Sequence, residues 1–331
     1  MRVLCTGGAG YVGSACLRHL LRHGLEAFAY DDLSEGRAAA VPDADRRLVV
    51  GSILDRPLLE RTLRDRAIDA VMHFAAVASV PESIARPAEY WEINVVGTKN
   101  VLDAMRAAGV ASVVFSSTAA TYAFSDRMPL EEDDLQAPVT PYGTTKLACE
   151  RMLDEYRTAY GIAFTAMRYF NASGADEDGE FGEDRRAETH LIPLVLYAAV
   201  GRREKVMVFG DDWPTRDGTC VRDYVHVDDI AQAHRLALAA HRPGVGRFYN
   251  IGSSSGATVR EIVTACERAA GRPIRTETAP RRPGDPAVLI ASSDRLRREL
   301  GWEPRLPSVD DIVGTAYRWH SRYPGGYADK R

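Results

Sequence analysis

A doubly wound α/β fold follows from three observations on this chain. Short apolar runs alternate with amphipathic stretches through the first half, a glycine-rich turn follows the first run directly, and the rhythm loosens after Phe170. In order, "RVLCT" (2–6), "EAFAYDD" (26–32), "RLVVGS" (47–52), "DAVMHFAA" (69–76), "SVVFSS" (112–117) and "FTAMRYF" (164–170) read as buried strands. Between them, residues 11–23, 57–65, 88–108 and 143–160 carry apolar side chains at helical spacing. Strict alternation of strand and helix implies right-handed crossovers and a parallel sheet covered on both faces. The second half predicts a helix over 190–201, strands over 206–209, 221–226 and 247–251, and helices over 227–240, 258–270 and 308–322. Proline-rich joins such as "APRRPGDP" break it up, and irregular connections of this kind build a binding surface beside a regular scaffold.

Composition excludes several classes of function. With 45% hydrophobic and 27% charged residues and a net charge of -4, the chain reads as soluble and globular. No basic run of five or more suggests a nucleic-acid partner. No apolar window reaches the ~18 residues of a membrane span, and "MRVLCTGG" enters a glycine turn rather than a signal pattern, so no membrane association and a cytoplasmic location are expected. The five cysteines (Cys5, Cys16, Cys149, Cys220, Cys266) are odd in number and lack zinc spacing. Buried free thiols and no structural metal are the expectation.

"TGGAGYVGS" places Gly7, Gly10 and Gly13 between the first strand and the mouth of the first helix. There the backbone approaches a pyrophosphate closely, and helix-terminal amides add hydrogen bonds and the positive end of the dipole. Asp31 and Asp32 close the second strand, where a carboxylate accepts both ribose hydroxyls of an adenosine and repels a 2'-phosphate. NAD is therefore favoured over NADP, with Arg37 close by as the feature that argues the other way. "HFAA" (73–76), with Phe74, Ala75 and Ala76, borders the adenosine and phosphates or is simply strand core.

"PYGTTK" sets Tyr142 and Lys146 one helical turn apart at the start of a predicted helix, so phenol and ammonium share one small volume. A free tyrosine titrates near ~10, and a neighbouring cation favours its ionised form. With Lys146 and a positive nicotinamide ring together, a depression of about 3 units makes Tyr142 a general base. With 14 tyrosines and four lysines in the chain, about 0.2 such spacings would arise at random. A third polar group is needed on the substrate hydroxyl; of Ser116, Ser117 and Thr118 at the end of the fifth strand, Thr118 is chosen, the alternative being that these hydroxyls only cap the strand.

These blocks, with "NVVGT", "RYFNASGADEDGEFGE", "THLIP", "FGDDWPTRDGTCVRDYVHV" and "APRRPGD", resemble in order the extended short-chain dehydrogenase/reductase family, in its branch of UDP-glucose 4-epimerases. The resemblance implies a Rossmann sheet in an NAD-binding domain (1–170, with a returning segment near 221–245) and a smaller mixed α/β domain for a UDP-sugar (171–331). It makes Tyr142 the base, Lys146 its electrostatic partner and Thr118 the hydroxyl on the sugar. Tyr11, Val12, Asp31, Asp32, Phe74, Asn94 and Phe170 would contact NAD, with Ser52 and Ile53 at its adenine edge. Asn171, Leu191, Met207, Phe209, Arg222, Arg282, Asp285 and Leu289 would hold the UDP-sugar, the arginines as bidentate forks on its diphosphate. His190 either reaches the nucleotide or caps a helix.

The chain departs from the pattern at Ser52, where an aspartate is frequent, at Ala78, where some members carry a lysine near the cofactor, and at Ala123, where glycine is usual. Leu289 is intermediate between the tyrosine of a hexose-only pocket and the small residue of one tolerating N-acetylhexosamines. The implied activity is inversion at C4 of UDP-glucose or UDP-galactose through a 4-keto intermediate, with N-acetylhexosamines and pentoses left open. A nucleotide-sugar dehydratase or a decarboxylase is disfavoured, because Ala119 and Ala120 stand where dehydratases carry an Asp-Glu pair after Thr118. A non-catalytic NAD-binding scaffold is disfavoured by the presence of both Tyr142 and Lys146. The resemblance also implies a homodimer built on the helices at 88–108 and 143–160.

Overall fold

The structure, a computed structural model, describes residues 1–125, 127–282 and 284–330. In the first half the principal elements are β1 (Arg2–Thr6), α1 (Tyr11–Arg22), β2 (Glu26–Asp31), β3 (Leu48–Val50), α2 (Arg56–Asp65), β4 (Ala70–His73), α3 (Gly97–Ala108), β5 (Ser112–Thr118), α4 (Pro141–Tyr160) and β6 (Ala163–Tyr169). The second half adds β7 (Asn171–Ser173), α5 (Leu191–Ala199), β8 (Val206–Phe209), β9 (Val221–Arg222), β10 (Tyr224–His226), α6 (Val227–Ala239) and β11 (Gly246–Ile251). It closes with β12 (Ala257–Thr258), α7 (Val259–Ala270), β13 (Thr276–Ala279), β14 (Val288–Leu289) and α8 (Val309–Arg322).

Seven strands form one parallel sheet in the order β11-β6-β5-β4-β1-β2-β3. Side chains along each strand alternate between two buried faces, as a covered parallel sheet requires. Val3 and Cys5 pack with Leu17 and Leu20 of α1 and Ile230 and Ala233 of α6, whereas Leu4 faces Leu59 of α2, Leu102 of α3 and Leu153 of α4. Strand order reverses between β1 and β4, and the crevice outside the strand carboxyl ends at such a point is where open sheets bind ligands. The second lobe packs α5, α7 and α8 around Leu196, Ile262 and Ile312, with small sheets β12-β9-β14, β13-β8 and β10-β7 beside them.

Four local expectations are corrected. The single helix over 88–108 is interrupted by a π-helical segment, Trp91–Val96. There Asn94 points inward, bonding the Val77 amide (2.9 Å), the Val77 carbonyl (3.1 Å) and Thr145 Oγ1 (3.1 Å). The strand over 221–226 divides at Asp223, whose carboxylate accepts from the amides of Ser253 (2.7 Å) and Ala291 (3.0 Å) instead of leaving the chain in one extended run. Directly after Phe170, β7 pairs with β10 beside the second lobe. Cys220 is only half-buried, while the other four thiols are buried as expected. The return of the chain into the main sheet reaches 251, since β11 is its edge strand on β6.

Candidate active site

The cleft at the switch point is lined by the glycine turn (Gly7, Gly10, Gly13), by Thr118, Tyr142 and Lys146, and by second-lobe residues including Asn171, Arg185, His190, Arg222 and Leu289. Its volume, about 410 Å³, falls within the usual range of small-molecule sites.

The candidate catalytic side chains are placed by a helix start. Thr140 caps α4, accepting from the Gly143 amide (3.2 Å), and Pro141 occupies the first turn, where its missing N–H costs nothing. A Cβ on Gly143 would lie 2.2 Å from the Ala120 carbonyl oxygen, so only glycine lets this turn settle on the end of β5. That approach brings Tyr142 and Thr118 together on the wall of the cleft. Thr118 Oγ1 accepts from the Ala120 amide (3.1 Å), so the residue that caps the strand end also lines the cleft. Ser116 and Ser117 are engaged internally, with Tyr169 and with Glu150 (2.5 Å).

The electrostatics of the pair differ from the expectation. Burial raises the Tyr142 phenol above its ordinary value, against the opposing pull of Thr118 and, more weakly, Arg185. Lys146 Nζ donates to the Ser116 carbonyl (2.9 Å) and sits over the Phe115 ring, and burial brings its ammonium down to about 8. The protein alone therefore does not depress the phenol; desolvation of its anionic form outweighs the pull of Thr118 and Arg185.

A dinucleotide fits the glycine turn. Gly7 has φ +71° and a Cβ there would lie 2.5 Å from the Ala75 amide nitrogen; one on Gly13 would lie 2.1 Å from the Gly7 carbonyl oxygen. Turn and helix are packed as closely as backbone allows, and no side chain caps α1, so its first amides face the cleft. Asp31 accepts from the Ala9 and Leu33 amides (both 2.9 Å), which fixes its carboxylate at the sheet edge with lone pairs to spare. Arg37 is turned away onto Asp184 (3.4 Å), so the guanidinium that argued for a 2'-phosphate is already paired.

The second lobe adds a charged cluster that the sequence reading missed apart from His190. Glu183 Oε1 accepts from Arg185 Nε (2.7 Å) and meets His190 Nδ1 (2.9 Å), and Glu188 Oε1 accepts from the His190 amide (2.8 Å). Glu183, Glu188 and His190 offer donor atoms within 4.8 Å of one another, a spacing a metal could use, but Arg185 and the ring of His190 already occupy Glu183. Burial disfavours the charged imidazole, yet Glu183 and then Glu188 hold His190 up at about 9. The imidazole is therefore a cation at neutral pH, on the wall of the cleft. Alternating charge in "GEDRRAETH" was the available signal.

The family comparison agrees with this geometry. Residues 3–252 match the model described as the NAD dependent epimerase/dehydratase family. This chain belongs to that family. Among its relatives, a UDP-glucose 4-epimerase from Corynebacterium glutamicum is 49% identical over 321 residues, covering 97% of this chain and 96% of the relative. One from Halalkalibacterium halodurans is 46% identical over 329 residues, covering 99% and 98%. The crystal structure of UDP-glucose 4-epimerase from Brucella ovis in complex with NAD superposes with a TM-score of 0.92 at 44% identity, covering 97% of this chain and 98% of that one.

Against the family pattern, the cleft brings together Gly7, Gly10, Tyr11, Val12, Gly13, Phe74, Ala76, Thr118, Tyr142, Lys146, Phe170, Asn171, His190, Arg222 and Leu289. Leu289 and Arg222 face each other across paired strands. The other expected residues lie outside the cleft wall. Ile53 is in the sheet core and Ser52 Oγ accepts from the Leu54 amide (3.2 Å). Asp32 bonds Ser34 and the side chain of Asn94 is wholly engaged within the fold. Arg282 stacks on Phe209 at 3.9 Å and Asp285 pairs with Arg222 at 3.6 Å, while Met207 lies on the neighbouring β8. Leu191 opens α5, with His190 at its cap position but making no side-chain cap bond. Ala123 is not among the positive-φ residues described, so nothing there requires glycine.

Proposed function

We propose that this chain is an NAD-dependent epimerase inverting C4 of a UDP-hexose, UDP-glucose to UDP-galactose and back. The observation that carries the reading is that Tyr142, Lys146 and Thr118 line the same cleft as the glycine turn and Arg222. NAD, when bound, accepts a hydride from the sugar's C4 and later returns it. Tyr142 takes the 4-hydroxyl proton and gives it back to the 4-keto sugar. Thr118 orients that hydroxyl. Lys146, anchored on Ser116, contributes a positive charge beneath the site that favours phenolate when the cofactor's own charge adds to it. Asn171, whose Nδ2 donates to the Asp223 carbonyl (2.6 Å), and Arg222 hold the nucleotide end, which leaves the pyranose free to present either face.

Purified protein given UDP-galactose forms UDP-glucose without added reductant; accumulation of a 4-keto-6-deoxy sugar or of UDP-xylose instead would overturn the assignment. Among the described residues no helix is long and apolar enough to cross a membrane, and the reading places the chain in the cytoplasm, where nucleotide sugars are made. We also read it as a homodimer. Trp91 and Val96 ahead of α3 and Tyr160 at the end of α4 are 44%, 41% and 52% exposed, which supports an apolar face for a second copy. Sedimentation at micromolar concentration tests this, a lone monomer counting against it.

A further inference from the structure

The segment 176–190 leaves the second lobe and lies across the mouth of the glycine turn. Arg22 of α1 pairs with Asp176 (2.5 Å), and the Tyr11 hydroxyl donates to the Gly174 carbonyl (2.6 Å). Tyr11 also stacks on Phe181 at 5.7 Å. Further along, Asp184 meets Arg37 and Arg186 Nη2 donates to the Leu33 carbonyl (3.2 Å), both partners in the loop that follows β2. Arg185 stands between these two tethered residues and lines the cleft together with Gly7, Gly10 and Tyr11. Its Nε is committed to Glu183, and among the described residues its Nη1 and Nη2 have no hydrogen-bond partner. The guanidinium edge is thus held rigidly from behind and free in front. Ala76 and Ala78, which also line the cleft, bring no charge to it.

We infer that Arg185 closes over the cofactor from the second lobe and pairs with the diphosphate of the bound dinucleotide, making the 176–190 segment a strap that retains NAD. This rests on the epimerase reading only for the choice of dinucleotide. A planar fork with its inner nitrogen anchored matches two phosphate oxygens, and the helix-terminal amides of α1 approach the same group from the opposite side. Retention matters because a cofactor lost between the two half-reactions strands the keto sugar.

The test compares wild type, Arg185→Gln and Arg185→Lys as holoenzymes. NAD bound per chain is measured after purification, and its loss on dilution is followed at low and high salt. Arg185→Gln is expected to lose NAD about tenfold faster or more, a loss of the size of a charge-assisted hydrogen bond. Arg185→Lys, a point charge without the fork, falls between. Loss of NAD from wild type accelerates with salt and the Arg185→Gln rate responds less. NAD retention in Arg185→Gln equal to wild type would overturn the inference, as would intact retention with weakened binding of UDP, which would assign the arginine to the substrate diphosphate. A thermal melt of each variant shows that it is folded. Because the NAD measurement uses no sugar nucleotide, failure of the C4 assay would leave this result standing.

Discussion

Two arginine–carboxylate clusters flank the catalytic strand ends, and they are used in opposite ways. Arg168 of β6 donates two hydrogen bonds to the Glu150 carboxylate of α4, from Nε (2.9 Å) and Nη2 (2.7 Å), with both side chains nearly inaccessible. Every remaining group is answered: Arg168 donates also to Tyr122 and the Glu132 carbonyl, and Glu150 accepts from Ser117 and Gln136. The pair at Glu183 and Arg185 has the same chemistry, yet among the described residues its arginine keeps two nitrogens without a partner, and the buried Glu188 Oε2 also has none. A saturated cluster registers elements against one another; an unsaturated one facing a cleft has capacity left for a ligand. Glu150 lies one turn beyond Lys146 on α4, so the closed cluster holds in register the helix that carries Tyr142, the proposed base.

The largest effect that sharpens this contrast is on rate. Tyr142→Phe is expected to lower kcat by about 10²–10⁴-fold, the range for loss of a general base, with NAD still bound and the fold intact. Turnover within a few-fold of wild type would remove Tyr142 from the mechanism. On stability the order reverses. Arg168→Met leaves Glu150 buried without its cation and should cost about 3–5 kcal/mol in denaturant unfolding. Arg185→Gln removes a side chain that is 37% exposed and should cost less than about 1 kcal/mol. Equal losses would erase the distinction between the two clusters.

Specificity comes next in size. Leu289→Gly, opening the wall beside Arg222, should raise the ratio of UDP-N-acetylhexosamine to UDP-hexose turnover about tenfold, as pocket volume does elsewhere. An unchanged ratio in a panel of UDP-sugars would place the sugar's 2-substituent away from Leu289.

The smallest effect is a pH dependence. His190 titrates at about 9 against 6.5 for the free side chain. A folded value above the unfolded one contributes stability that is complete below about 6.5 and disappears as pH rises through about 9. The side chain is 40% exposed, so solvent screens the effect. Wild type should lose ~1–2 °C more in melting temperature than His190→Gln between those limits. Parallel curves would show that the imidazole carries no charge in the fold.

How much of this was legible follows from the kind of signal each part emits. The short apolar runs at 2–6, 69–76 and 112–117 revealed the sheet, because a strand covered on both faces is apolar throughout and bounded by turns. Tyr142 and Lys146 were visible as an i, i+4 pair at a capped helix start. The direction of Lys146 was not, since its partner is a main-chain carbonyl thirty residues away. The π-helical segment escaped because widening a helix by one residue scarcely changes the apolar pattern around Asn94. Arg185 escaped for a different reason: the segment 171–190 has no period, and its charges acquire meaning only through Glu183 behind and the glycine turn in front.

The edge position of β11 has a consequence for how the polypeptide emerges from the ribosome. Residues 246–251 complete the row of hydrogen bonds on β6, which ends at Tyr169. Until they are synthesised, the nascent N-terminal half carries a bare backbone margin open to pairing with a neighbouring chain. A message cut short between those points should yield insoluble product, whereas one ending after Ile251 should leave that margin sealed.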